Sequence, residues 1–276
     1  MRVIELVKSE YVKVDKSDTI SHLICELERS HDRAALVFDK KNLVGITSKD
    51  RLLNSRLDLS RTKVDKMIIR IPILTGDEEV QEAARLLFTS NSPILPIVKN
   101  KVLKGVVSSM AVVSQIKNFP ELGMRRIGDL MTKNPLTINE DEGVGKAIEL
   151  MRKHKISRLP IVDKKGDILN ILSITDVIEL YTMNIGGAET HGNQYSLMGP
   201  RSNKAYKSQH PHLVNFPVKN ITSNTLVTAE AKTTVDEALD TMAAYNISSL
   251  VIVEGKKPVG IITVRDLLKL LLQIAY

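Results

Sequence analysis

The chain has 276 residues, 43% of them hydrophobic and 26% charged, which is material for about two ordinary domains and lies clear of the composition that keeps a chain unfolded. A single cysteine, Cys25, excludes an internal disulfide and a zinc site built on cysteine pairs. No stretch reaches the roughly 18 apolar residues of a membrane-spanning helix, and Arg2, Glu5 and Lys8 interrupt any secretory apolar run, so a cytoplasmic protein is expected.

In chain order, one pattern recurs four times. The first copy, residues 1–60, has a helix in SDTISHLICELERS, then the apolar strands AALVFD and LVGIT about a KKN turn. The second, 61–120, runs DEEVQEAARLLFTS, ILPIVK, NK and VLKGVVS. The third, 121–183, has Val144, Ile148 and Met151 at helical spacing, then RLPIVD, KKGD and ILNILS. The fourth, 217–276, runs TTVDEALDTMAAYN, SSLVIVE, GKKP and VGIIT, then a helix whose Leu267, Leu268, Leu271 and Ile274 should face inward. Each copy is a βαββα unit, and the fold class is mixed α/β. A unit of about 60 residues buries only a small core and should pair with a neighbour. Two pairs are expected, with the seam near NFPELGMRRIGD.

Aligned on a closing hydroxyl, the copies anchor at Thr47, Ser108, Ser173 and Thr263, with spacings of 61, 65 and 90 residues. The surplus lies in an insertion at 184–216 that carries Arg201, Lys204, Lys207, His191, His210 and His212. Its Gly, Pro, Ser and Asn content reads as a long polar loop, a lid or a partner-binding arm. The two histidines spaced two apart have no acid or cysteine at ligand spacing, which argues against a metal site.

Where the last strand meets the second helix, three copies carry an acid three residues after the hydroxyl: Thr47 with Asp50, Ser173 with Asp176, and Thr263 with Asp266. In the second copy the acid is replaced by Ala111. The spacing is that of a helix-capping box. The same helix N-terminus, with a hydroxyl and a carboxylate beside it, can also receive a ribose or a phosphate. Both readings stand together.

The βαββα order, the strand RLPIVD and the endings VGIIT-VRD and NILS-ITD resemble cystathionine beta-synthase (CBS) domains. Four in tandem, paired into two Bateman modules, are similar to the family of gamma regulatory subunits of the AMP-activated protein kinase and its stand-alone archaeal relatives. The resemblance implies a non-catalytic sensor that needs no cofactor and binds AMP, ADP or ATP in clefts between paired domains. It implies that Ser173 and Asp176, Thr263 and Asp266, and Thr47 and Asp50 hold ribose, and that the second site is empty. Adenine contacts are implied at Leu136, Thr137, Ile156, Ser157 and Pro160, and at Val227 and Ile247. Phosphate contacts are implied at Arg33, Arg158 and Lys219. Gly45 lies two residues before Thr47, whereas Gly260 lies three before Thr263, so the first site is distorted in this reading. Pro93-Ile94 and Ser248-Ser249 stand where the family has His-Arg pairs, and the phosphate surroundings differ accordingly.

No nucleophile, base and orienting group stand together in sequence, so an enzyme is not expected. The output passes through an unidentified effector protein, and the resemblance allows a homodimer. Net charge is +7, from 39 basic and 32 acidic residues, which favours anionic partners. One alternative is therefore a nucleic-acid-binding or scaffold protein. The spread of Lys and Arg and the lack of a nucleic-acid motif argue against it. Four Phe, six Tyr and no Trp leave little for stacking on single strands. A second alternative is a sensor of another adenosyl ligand such as S-adenosylmethionine. No membrane partner is expected.

Overall fold

The computed structural model of the chain describes residues 1–52, 62–183, 214–221 and 225–273. The side chains of Asp50, Leu52 and residues 181–183 lie outside that description, as does the insertion from 184 to 213 with its basic residues and histidines. Among the described residues no helix is long and apolar enough to cross a membrane.

The fold is mixed α/β, in four copies. The first is built from β1 (Val12–Asp15), α1 (Ile20–Ser30), β2 (Ala34–Asp39), β3 (Asn42–Ser48) and α2 (Lys49–Leu52). The second has α3 (Val80–Ser90), β4 (Ile94–Lys99), β5 (Val102–Ser108) and α4 (Ser109–Val113), with the short helix α5 (Pro120–Gly123) after it. The third holds β6 (Thr132–Lys133), β7 (Ile138–Asn139), α6 (Val144–His154), β8 (Arg158–Val162), β9 (Ile168–Ser173) and α7 (Ile174–Met183). The fourth has β10 (Thr228–Ala229), α8 (Val235–Ala244), β11 (Ser249–Glu254), β12 (Lys257–Thr263) and α9 (Val264–Leu271). In each copy the leading strand or bridge runs parallel to the first hairpin strand, as in Val14↔Val37, Leu74↔Ile97, Ile138↔Ile161 and Thr228↔Val251. The hairpins are antiparallel.

Helical spacing puts the apolar faces where the sequence pattern places them. Val144 and Met151 are fully buried, as are Leu267 and Leu271, with Leu268 at 2% exposure; Ile274 lies outside the described residues. The first helices of copies one to three end on residues with left-handed backbone, His31, Asn91 and Lys155. These turn the chain directly into the hairpin.

The copies trade their leading segments. A short turn of 3-10 helix begins each one, and its first amide donates to a neighbouring copy at 2.9 Å in all four cases. Val3 donates to the Glu78 carbonyl and Val64 to that of Asp18; Ile127 donates to Thr233 and Val218 to Glu142. The first and second copies thus exchange leaders, and so do the third and fourth. Among the described residues, three of the leaders then continue along the partner's last strand. Lys8 pairs with Val106, Ile69 with Ile46, and β6 with β12. Gly45 and Gly105 make room for this, since a Cβ on either would collide with the carbonyl oxygen of Ile69 or Lys8. By this exchange each leader docks on the copy next to its own in sequence.

The compact units divide differently from a single seam at 118–129. One unit comprises Met1–Tyr11, Arg70–Pro135 and Val227–Tyr276, and so holds the second and fourth copies. The other comprises Val12–Ile69 and Leu136–Leu226, with the first and third. The reason is helix packing. Leu87 of α3, Val112 of α4 and Leu267 of α9 share one fully buried cluster, while Ile20 and Ile24 of α1 share another with Met151 of α6 and Val177 of α7. A smaller cluster, with Val12, Leu23 and Val37, fills the first copy.

Candidate functional site

Every copy makes the same joint between its hairpin and its second helix. The first helical amide donates to the carbonyl of the residue just before the hairpin: Lys49 to Arg33 at 3.0 Å, Ser109 to Pro93 at 2.9 Å, Ile174 to Ser157 at 2.9 Å and Val264 to Ser248 at 3.1 Å. The closing residue of the hairpin pairs with the opening one, as Ala34↔Ser48, Ile94↔Ser108, Arg158↔Ser173 and Ser249↔Thr263. Each joint therefore brings together the start of one strand, the end of the other and the N-terminus of a helix.

This register corrects the first copy. Ser48, not Thr47, occupies the position of Ser173 and Thr263, and the position three residues on is Arg51. Thr47 is fully buried, and its hydroxyl has no hydrogen-bond partner among the described residues. It points to the core because adjacent strand residues face opposite sides. The glycine spacing carried the signal: Gly45, Gly105 and Gly260 each precede the true closing residue by three. Asp50 is the second residue of α2, outside the pairing the sequence suggested. Arg33 stays at the joint through its carbonyl and is half-buried.

In the third copy the expected residues meet. The Ser173 amide donates to Asp176 Oδ2 at 2.6 Å, and the Asp176 amide donates to Ser173 Oγ at 3.3 Å. Asp176 is only 5% exposed. Burial pushes its carboxyl above the ordinary value, against the opposing pull of the Ser173 hydrogen bonds and the positive charge of Arg158. Arg158 opens β8, half-buried, with a guanidinium nitrogen 3.5 Å from the Ser157 hydroxyl. Pro160 is buried, Ile156 and Ser157 are half-buried, and Ile156 packs against the unit's core. Leu136 and Thr137 lie just ahead of β7, Leu136 exposed. Because β7 and β8 run parallel, their starts share the sheet edge with the end of β9 and the start of α7.

The fourth copy repeats the geometry. The Thr263 amide donates to Asp266 Oδ2 at 2.8 Å, and its hydroxyl to the same oxygen at 2.7 Å. Thr263 and Asp266 are half-buried. Val227 and Ile247 pack on the core of their unit. In the second copy the Ala111 amide donates to Ser108 Oγ at 3.1 Å, so the cap persists where the acid is missing.

Lys219 belongs to the third copy's surroundings, not the fourth's. Leader exchange carries it there, and its ammonium pairs with Asp141 at 2.8 Å. The joint of the first copy has a feature that pattern reading missed. At the first helical position, where α7 has Ile174 and α9 has Val264, α2 has Lys49, 6% exposed. Its ammonium lies 2.9 Å from Glu28. Among the described residues no group of His, Cys, Asp and Glu is arranged to hold a metal ion.

Residues 3–58, 127–182 and 218–273 match the CBS domain, which covers the first, third and fourth copies. The protein MJ1404 of Methanocaldococcus jannaschii is 24% identical over 96% of this chain and 60% of its own length. The inosine-5'-monophosphate dehydrogenase of Korarchaeum cryptofilum is 27% identical over 49% of this chain and 28% of that protein. The chain thus spans less than two thirds of these curated relatives. Among solved structures, protein MJ1225 of M. jannaschii shares the fold at a TM-score of 0.77 with 19% identity, over 98% of this chain and 99% of that one. A conserved protein of Pyrococcus horikoshii does so at 0.63, also with 19% identity, over 98% and 100%.

Proposed function

The chain belongs to the CBS domain family, and on that premise we propose that it is a non-catalytic regulatory protein that binds adenine nucleotides at the joints of its third and fourth copies. The observation that supports this reading is the buried Asp176 in the first turn of α7. A carboxylate has about four acceptor positions, and capping the helix uses only part of them. The remainder suits the two hydroxyls of a ribose. The free amides of the same helix end attract phosphate, and Arg158 supplies a cation that can engage it in two parallel bonds.

Adenine is accommodated by the sheet edge at Leu136, Thr137, Ile156, Ser157 and Pro160 in the third copy, and at Val227 and Ile247 in the fourth. The first copy, with Arg51 in place of the acid, takes no ribose by this route. The second, with Ala111, takes none either. Lys219 and Arg33 then act outside the ribose contacts, as surrounding positive charge. The output passes to an effector protein in the cytoplasm or to a second copy of the chain.

Calorimetric titration with AMP, ADP, ATP and S-adenosylmethionine tests the reading. Two equivalents of AMP or ATP are expected. Asp176→Ala and Asp266→Ala should each remove one of them or weaken it by about tenfold, which corresponds to about 1.4 kcal/mol. Ser109→Ala should change neither. Unaltered binding in both Asp variants removes the ribose assignment, and preferential binding of S-adenosylmethionine replaces the nucleotide with another adenosyl ligand.

A further inference from the structure

The two joints that carry a ribose acid are alike at the helix and unlike in charge. In the third, the Ile174 amide donates to the Ser157 carbonyl at 2.9 Å and the Asp176 amide to Ser173 Oγ at 3.3 Å. In the fourth, the Val264 amide donates to the Ser248 carbonyl at 3.1 Å and the Asp266 amide to the Thr263 side chain. The cap uses the same backbone donors in both. Any difference in what the joints hold beyond the ribose therefore comes from side chains.

Strand pairing shows where that difference lies. Arg158 stands opposite Ser173, and Ser249 stands opposite Thr263. A cation thus flanks the third hydroxyl, while a serine only 7% exposed flanks the fourth. The connectors leading into the hairpins differ in the same sense. Each contains a residue with left-handed backbone, Lys155 in one and Asn246 in the other. Around it the third copy exposes Lys153, His154 and Lys155, where the fourth has Ala244, Tyr245 and Asn246.

Across the fourth connector, the ends of its hairpin and the first turn of α9, Arg265 is the one cation among the described residues. It is committed to the second copy. Its guanidinium lies 4.4 Å from the centre of the Phe88 ring and donates to the Asn91 side-chain oxygen at 2.6 Å. Engaging a phosphate would forfeit both contacts.

We propose that the third joint selects its ligand by 5′ charge, holding adenosine phosphates through Arg158, whereas the fourth holds the adenosyl group whatever its 5′ substituent, adenosine included. This rests on the nucleotide reading given above and divides its two sites by ligand class. A 5′ phosphate, close to doubly charged at neutral pH, gains charge-assisted bonds only where a guanidinium can meet it. The chain then reads phosphorylation once, at the third joint, and the bare nucleoside portion at the fourth.

The test titrates the full chain with AMP and with adenosine at two salt concentrations. An Asp266→Ala background lets the third joint report, and Asp176→Ala lets the fourth. At the third, AMP should bind about tenfold or more tighter than adenosine, with the margin shrinking as salt rises. Arg158→Gln should lower AMP to the affinity of adenosine and leave adenosine as it was. At the fourth, the two ligands should agree within about twofold at either salt, and Arg265→Ala should alter neither. In the chain without substitutions, the same division appears as two classes of AMP site, for one of which adenosine competes on equal terms. Equal preference for AMP at both joints, or a preference at the third that survives Arg158→Gln, overturns the proposal and leaves the nucleotide reading standing. If the unaltered chain binds neither compound, the nucleotide reading fails and takes this inference with it.

Discussion

The Arg265 guanidinium lies 4.4 Å from the centre of the Phe88 ring and donates to the Asn91 side-chain oxygen at 2.6 Å, so one residue of α9 clasps the end of α3. The side chain is exposed, where a cation over an aromatic face contributes about 0.5–1 kcal/mol. Arg265→Ala should lower unfolding free energy by that amount in urea titrations. A double-variant cycle with Phe88→Leu should show coupling between the two; additive effects would mean that the clasp contributes nothing.

The buried Thr47 hydroxyl is expected to cost stability, because a buried polar group without a partner loses its hydration for no return. Thr47→Val keeps the shape and removes the oxygen. Stability should rise by about 1 kcal/mol, with nucleotide binding unaltered. Weakened binding would instead restore Thr47 to the ligand site.

Asp176 carries a pH signature. Its carboxyl is raised from the ordinary 3.8 chiefly by burial, so the folded state holds the proton more tightly than the unfolded one. The associated stability is complete below about pH 3.8 and is lost as pH rises through the raised folded value. Asp176→Asn retains an acceptor for the Ser173 amide without the charge. Melting temperatures of the ligand-free variant should fall less between pH 4 and 7 than those of the parent, while its nucleotide affinity drops. A steeper fall would contradict the burial argument.

Gly105 has Lys8 pressed against it, and a methyl group there meets the Lys8 carbonyl. Gly105→Ala should displace the leader from β5 and cost about 1–3 kcal/mol, as overpacking does. Amide exchange at Lys8 and Val106, which bond to each other at 2.8 and 3.0 Å, should accelerate. Protection equal to the parent's would show that the strand tolerates the methyl.

The repeat was legible because its apolar runs and helical spacing survive in all four copies, and because the acids at Asp176 and Asp266 stand at one fixed distance from a hydroxyl. Two adjacent hydroxyl residues, Thr47 and Ser48, made the first copy ambiguous. Only strand pairing decides which one caps α2, although the distance from Gly45 held the same information. The grouping of copies was not legible. It depends on which amphipathic faces fit each other, and α4, α7 and α9 all bury apolar residues. Lys49 was hidden for a related reason: a lysine beside a helix start reads as solvated until its neighbour Glu28, distant in sequence, is in place.

The traded leaders have a bearing on how the chain can be cut or rearranged. Severing it at residue 60 would leave the first copy without the Val64–Met67 turn that docks on it, and would leave the second without the one at Val3–Leu6. A half such as 1–120 keeps both leaders with their acceptors, yet it takes α3 away from the α9 it packs with in one buried cluster. No excision respects both kinds of bond. The four copies resemble interchangeable parts only in writing; each compact unit is stitched from separated stretches of chain, and neither can be lifted out in one piece.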